Sequence, residues 1–406
     1  MSSISATSIS GFDLRTIDQA FLNDPYPVYH ALRDDNPVHQ CPDGSYFLTG
    51  YDDVLAVYRD HARFSSDKKL DFKPAFGDSA LFEHHTTSLV FNDAPYHTRI
   101  RSLLAPAFTP RALEELRPRV EAFVDARLEE IAEKETFDVI ADFASPLPVQ
   151  LIGDMLGIPE SDRAPLRDWS LAILGALEPT LSREGFETGC RAVEDFKAFL
   201  KDLIDHRRAH ATPGGRGEIL SKLIDAEWDG ERLSEIELYH NCIFLLNAGH
   251  ETTTNLIGNG IEALFRYPAE HARLRADPAL IRPAVEEMLR FESSNQLGNR
   301  RATEDVAIGD TAIPAGGYIH LCIAAANRDP AQFTDPDHFD ITRRPNRHLA
   351  FGNGVHTCAG AALARMEGQV AIGKLVARFP DLRPSGDPTR GGRIRFRGFL
   401  KLPAAI

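Results

Sequence analysis

The chain has 406 residues, 43% of them hydrophobic and 26% charged, the balance of a folded protein with a large apolar core. A formal net charge of −14 argues against a broad nucleic-acid-binding surface, and no uncharged apolar run approaches the ~20 residues that cross a bilayer. Five scattered cysteines exclude a disulfide framework and fit a reducing compartment, and the N-terminus lacks a signal-peptide pattern, so a cytoplasmic protein without nucleic-acid or membrane partners is expected.

Residues 1–20 read as a loose N-terminal segment. Asp24-Pro-Tyr-Pro27 then precedes a helical stretch from Val28 to Arg33, and short strands flank the Pro42-Asp-Gly turn. Asp52 to Arg59 returns to helical spacing, whereas 66–96 reads as a long irregular segment of the kind that often carries function. From His97 the chain is helix-rich, with Thr109 as a cap ahead of Pro110 and further helices over 148–156, 168–176 and 190–209. Ala211 to Gly217 reads as a flexible connector. Ser234 and Glu237 form a capping-box pair opening the clearest helix, which runs about 30 residues to Phe265, roughly 45 Å. Another helix covers 278–291. Short strands follow over 306–308, 311–317 and 318–322, and the alternation in Arg393-Ile-Arg-Phe-Arg397 predicts a half-exposed strand. The whole is one mainly α domain with a minor β region.

The densest chemistry lies in Phe351-Gly-Asn-Gly-Val-His-Thr-Cys358-Ala-Gly360, followed by an Ala/Leu/Met-rich helical run. A thiol at a helix N-terminus is pushed toward thiolate, the metal-ligating form. Zinc and iron–sulfur clusters need more Cys or His ligands than stand nearby. A single thiolate behind close-approach glycines suits haem, a flat macrocycle that carries its own equatorial ligands. Its propionates call for cations, for which His97, Arg101, Arg300 and His356 are candidates, the first two one helical turn apart. On the long helix, Ala248-Gly249 would admit a planar group, while Glu251 and Thr252 would relay protons to dioxygen. Glu287 and Arg290 are spaced as an i,i+3 ion pair.

These features resemble the cytochrome P-450 family of haem-thiolate monooxygenases, in its soluble bacterial branch. Phe351, Gly354, His356, Cys358 and Gly360 match the ligand-loop pattern, and the similarity runs from Asp24 to the final strand. The resemblance implies a single-domain P-450 fold with haem b between the long helix and the Cys358 loop. Cys358 would be the metal ligand and Glu251–Thr252 the catalytic acid–alcohol pair. His97, Arg101, Ala248, Gly249, Arg300, Phe351, Gly352, His356 and Gly360 would contact the cofactor. Glu287 and Arg290 would form a structural pair tied to a residue in Arg343–Arg347. Residues 293–295 read Ser-Ser-Asn where relatives often have Ser-Pro, which weakens inference about substrate shape.

The implied activity is oxygen insertion from dioxygen into a hydrophobic small molecule. No flavin or nicotinamide fingerprint is present, so electrons would come from a separate ferredoxin and its reductase, with Arg343, Arg344, Arg347 and Arg365 as a docking patch. Family substrate loops put Phe72, Phe76, Leu174, Leu177, Phe244, Leu245, Ser294, Leu297 and Phe399 around the substrate. Lys68, Lys69 and Lys73 would attract a carboxylate. The alternatives are a peroxide-driven haem-thiolate hydroxylase, which typically lacks the acid–Thr pair, and a non-catalytic haem or ligand carrier.

Overall fold

The computed structural model describes residues 9–210, 219–225, 227–228 and 231–406; the 211–217 connector lies outside them. The capping box is present as the sequence predicts, and the helix it opens, Glu235–Arg266, is 32 residues long. Side chains from Leu238 to Leu264 are buried on nearly every face, so this helix is the core of the molecule and not an amphipathic surface element. Helices Pro146–Leu156, Leu166–Gly175, Arg183–Ala209, Ile281–Phe291 and Ala361–Arg378 pack against it. Val139–Leu156 is the one described stretch long and apolar enough to span a bilayer, with a mean hydropathy of 1.2; most of it is buried inside this bundle.

Beside the bundle lies a five-stranded sheet in the order Val38–Gln40, Tyr46–Leu48, Tyr318–Cys322, Leu297–Ala302, Phe64–Ser65. Only the Tyr46–Leu48 and Tyr318–Cys322 pair is parallel. In the adjacent antiparallel pair Arg300 stands opposite Ile319, which carries the arginine to the edge of the central cavity.

Three sequence expectations change. Residues 9–20 are packed, not loose: Phe12 and Leu14 are buried, and the Phe12 ring lies 5.0 Å from Phe47. The 66–96 segment holds two helices, Lys69–Phe76 and Ala80–Thr87, the second capped by Ser79. Each spans barely two turns and the first contains Pro74, so neither shows a legible period in sequence.

Residues 393–397 are not a strand; only Phe396 bridges to Asn295. The alternating arginines reach inward, because carboxylates and backbone carbonyls wait there. Arg393 pairs with Glu251, and Arg397 pairs with buried Glu292 at 2.8 Å and donates to the carbonyls of Leu22 and Asn23.

Burial acts to raise the Glu292 pKa, but Arg397, Arg390, Arg328 and Arg266 outweigh it and hold the group down to about 2. A depressed carboxylate contributes stability above its ordinary pKa and loses it as the pH falls toward the folded value. Between pH 5 and pH 2 the wild type should therefore lose on the order of 3 kcal/mol that a Glu292→Gln variant does not lose. Urea midpoints compared across that range check it; parallel pH profiles would refute it.

Candidate active site

The Cys358 loop is shaped by its glycines. Gly354 has φ +72°, and a Cβ there would strike the Tyr58 carbonyl oxygen, so the loop lies directly on the end of helix Tyr51–Arg59. Thr357 closes the turn, its N–H and hydroxyl both donating to the Gly354 carbonyl at 3.1 and 2.7 Å. The Cys358 N–H donates to the Phe351 carbonyl at 2.9 Å, leaving the thiol just ahead of Ala361–Arg378 and open to a cavity. Burial in the surrounding protein raises its pKa, while the Gly360 N–H, Arg101 and Arg365 pull the other way. Cys41, Cys242 and Cys322 are buried, with thiols that burial pushes up to about 11 to 12.

The cavity, about 330 Å³, separates this loop from the middle of the central helix. Ala248, Gly249 and Thr252 form one wall; Phe351, Gly352, His356, Cys358 and Gly360 form the other. A Cβ on Gly360 would meet nothing within 4 Å. A Cβ on Gly249 would meet the tip of the Ile152 side chain, so the glycine also serves the helix crossing. Ala248 and Gly249 both present a small surface to the cavity, Ala248 the more exposed of the two.

His97, Arg101 and Arg300 complete the cavity edge beside His356. The two imidazoles lie 4.0 Å apart, centroid to centroid, and His97 Nε2 is buried without a partner. Arg300 donates to the Asn299 carbonyl at 2.7 Å and lies 5.2 Å from the Tyr58 ring centroid. Among the described residues neither Arg101 nor Arg300 is paired with a carboxylate. Burial first, then the arginine charges, hold His97 down to about 4 and His356 to about 2, so both imidazoles are neutral donors at neutral pH. An unpaired buried cation, Arg300, and an orphaned ring nitrogen are costly without an anion. A thiol on one wall and this cluster at the edge fit haem with its two propionates.

Glu251 and Thr252 separate in space. The Thr252 hydroxyl donates to the Ala248 carbonyl at 2.7 Å and faces the cavity. Glu251 is buried outside the cavity lining, gripped by Arg393 Nη1 at 2.7 and 2.6 Å. Burial raises its pKa to about 7 against the opposing pull of Arg393.

Glu287 and Arg290 are fully buried, 2.8 Å apart, and the third member of their network is Arg343 at 3.1 Å from Glu287. That occupation removes Arg343 from the expected docking patch. Arg365 is likewise spent, in a two-point pair with Glu286 at 2.7 and 2.9 Å. Arg344 and Arg347 remain exposed, joined by Arg59, which reaches Asn353 of the ligand loop.

Of the expected substrate contacts, Leu174, Leu177, Phe244, Leu245, Ser294 and Leu297 line the cavity. Phe72 and Phe76 line instead an adjoining outer cavity of about 600 Å³. Phe399 lines neither; it belongs to the core, 3.9 Å beneath the Arg390 guanidinium. The lysine hypothesis is corrected as well. Lys68 is wholly buried with Asp71 at 3.5 Å, Lys69 pairs with Asp67, and Lys73 with Asp78. Sequence reasoning missed Tyr58, His85, Asn247, Arg395 and Phe396, all of which line the cavity. For Arg395 a signal existed, three arginines in alternation, but it was read as solvent exposure.

The cytochrome P450 family model matches residues 179–390. Relatives include the biotin biosynthesis cytochrome P450 of Bacillus subtilis, 38% identical over 90% of this chain and 92% of the relative. The cytochrome P450 monooxygenase PikC of Streptomyces venezuelae is 40% identical over 91% of this chain and 87% of its own. Among solved structures, P450BioI in complex with an acyl carrier protein ligated to hexadec-9Z-enoic acid aligns with a TM-score of 0.90. It is 37% identical, with 96% of this chain and all of that chain covered. The fold is that of the cytochrome P450 monooxygenases, which are oxidoreductases. This chain belongs to the cytochrome P450 family.

Proposed function

We propose that the protein inserts one oxygen atom from dioxygen into a small or medium hydrophobic substrate in the cytoplasm, using haem b ligated by Cys358 and electrons from a separate ferredoxin and its reductase. The observation that carries this reading is the cavity in which Cys358 faces Ala248 and Thr252, with an unpaired cationic edge between them. Haem supplies the oxygen-activating chemistry when bound. The chain's own part is to hold it, exclude water and manage protons.

Thr252 keeps its hydroxyl proton on the Ala248 carbonyl and can turn it into the cavity without moving the helix. Glu251, with a pKa near neutrality, can hold a proton at physiological pH and reload that hydroxyl once Arg393 lets go. Apolar Leu174, Phe244, Leu245 and Leu297 would place the substrate over the reacting centre. Exposed Arg59, Arg344 and Arg347 around the ligand loop offer a weakly basic face to an acidic ferredoxin. The acyl-bound structural neighbour supports an elongated apolar substrate.

Two measurements test the proposal. The reduced, CO-bound protein should show a strongly red-shifted, thiolate-type Soret band. Thr252→Ala should divert electrons to hydrogen peroxide, lowering product formed per electron by about a hundredfold, the low end of a general acid's contribution. Unchanged coupling in that variant would favour a peroxide-driven hydroxylase or a carrier.

A further inference from the structure

The other arginines that line the cavities are accounted for, Arg183 by Glu187 and Arg101 and Arg300 by the cationic edge beside His356 that fits haem propionates. Arg395 is not. Its Nε donates to the Leu177 carbonyl at 3.1 Å and its Nη1 to the Leu297 carbonyl at 2.9 Å. Those two bonds hold the guanidinium plane still, and among the described residues no carboxylate pairs with it and nothing accepts from Nη2. Arg395 also lines both cavities, so the charge stands at the boundary between the outer cavity and the inner one.

The surroundings point the same way. His85 Nε2, on the inner side, and His320 Nδ1, on the outer side, are buried and unpartnered. Burial, together with the Arg395 charge, keeps both rings neutral, able to donate one hydrogen bond each. Glu178 also lines the outer cavity: its Oε2 accepts the backbone N–H groups of Ile394 and Arg395 at 2.9 and 3.2 Å, and its Oε1 is buried without a partner. Neither oxygen forms an ion pair with the Arg395 guanidinium.

We propose that Arg395 anchors a carboxylate on the substrate, so that the enzyme takes organic acids whose apolar body reaches from Arg395 along the inner cavity toward Thr252. This rests on the monooxygenase reading and names the substrate class for it. A preorganised guanidinium without a counterion gains from an incoming carboxylate, and a neutral substrate would leave the charge uncompensated.

The test uses the holoenzyme and three acids (dodecanoic, hexadecanoic and phenylacetic), each against its primary alcohol, with binding read by calorimetry and by the Soret shift. At least one acid should bind tenfold or more tighter than its alcohol. Arg395→Gln should erase that preference while leaving the CO-bound Soret band in place, and Arg395→Lys should keep part of it. Glu178→Gln, which retains the carbonyl for the two N–H groups, should widen it. Equal binding of every acid and alcohol, or a preference that survives Arg395→Gln or is unmoved by Glu178→Gln, overturns the proposal. Absence of the red-shifted band overturns the monooxygenase reading separately, since the calorimetric comparison does not depend on it.

Discussion

Cys358→Ala is expected to abolish the red-shifted Soret band of the reduced, CO-bound protein and all oxygen insertion, while the fold survives. The loop's geometry does not depend on the thiol. Cys358 contributes its N–H to the Phe351 carbonyl, Thr357 closes the turn onto Gly354, and alanine preserves both. What alanine removes is the sulfur facing the cavity. No other cysteine can replace it: Cys41, Cys242 and Cys322 are buried with thiols held protonated, and Cys190 is absent from the cavity wall. His97, Arg101, Arg300 and His356 would still attract an anionic macrocycle, so residual haem binding with a non-thiolate spectrum is expected. An unaltered band in the variant would exclude Cys358 as the ligand.

The largest effect on stability is expected at Glu287. Its carboxylate receives Arg290 through two bonds at 2.8 Å, Arg343 at 3.1 Å, Asn346 at 3.0 Å and the Asp340 N–H at 3.0 Å. Arg290 in turn donates to the carbonyls of Asn327, Pro336 and His338. One buried pair thus ties the end of helix Ile281–Phe291 to the meandering 327–346 segment, which has almost no regular structure of its own. Glu287→Ala leaves Arg290 charged, buried and unpaired, a loss of about 3–5 kcal/mol. Glu287→Gln should cost less, since the amide oxygen still accepts. The pair Glu287→Ala with Arg290→Met should not recover the loss, because the carbonyls and the Asp340 N–H stay unsatisfied. Urea midpoints check all three variants; a cost below 1 kcal/mol for Glu287→Ala would mean that water or another group replaces the carboxylate.

The residues that the sequence marked most clearly are those whose signal is local. The Ser234–Glu237 box, the Thr109 cap and the glycine-rich approach to Cys358 depend on neighbours within a few positions, and each stands as expected. The short helices of 66–96 do not, because two turns, in the first helix interrupted by Pro74, carry no readable period. The arginine alternation of 393–397 misled for a related reason. Charge in a strand-like pattern usually means solvent, yet here Glu251, Glu292 and two backbone carbonyls, all distant in sequence, draw the guanidinium groups inward.

The sequence by itself marked Cys358, its loop and the helix across the cavity from it, since a cysteine flanked by glycines and an acid–alcohol step on a long helix are short-range patterns. Only the tertiary structure decided which charges remain free. Lys68, Lys69, Lys73, Arg343 and Arg365 all read as available cations, and each has a carboxylate partner; Arg395 read as solvated and has none. An ion pair is settled by which side chains meet within a few ångströms: the three lysines meet acids within five positions, but Arg343 and Arg365 meet theirs 56 and 79 positions away. Composition and spacing carry no record of those distant meetings.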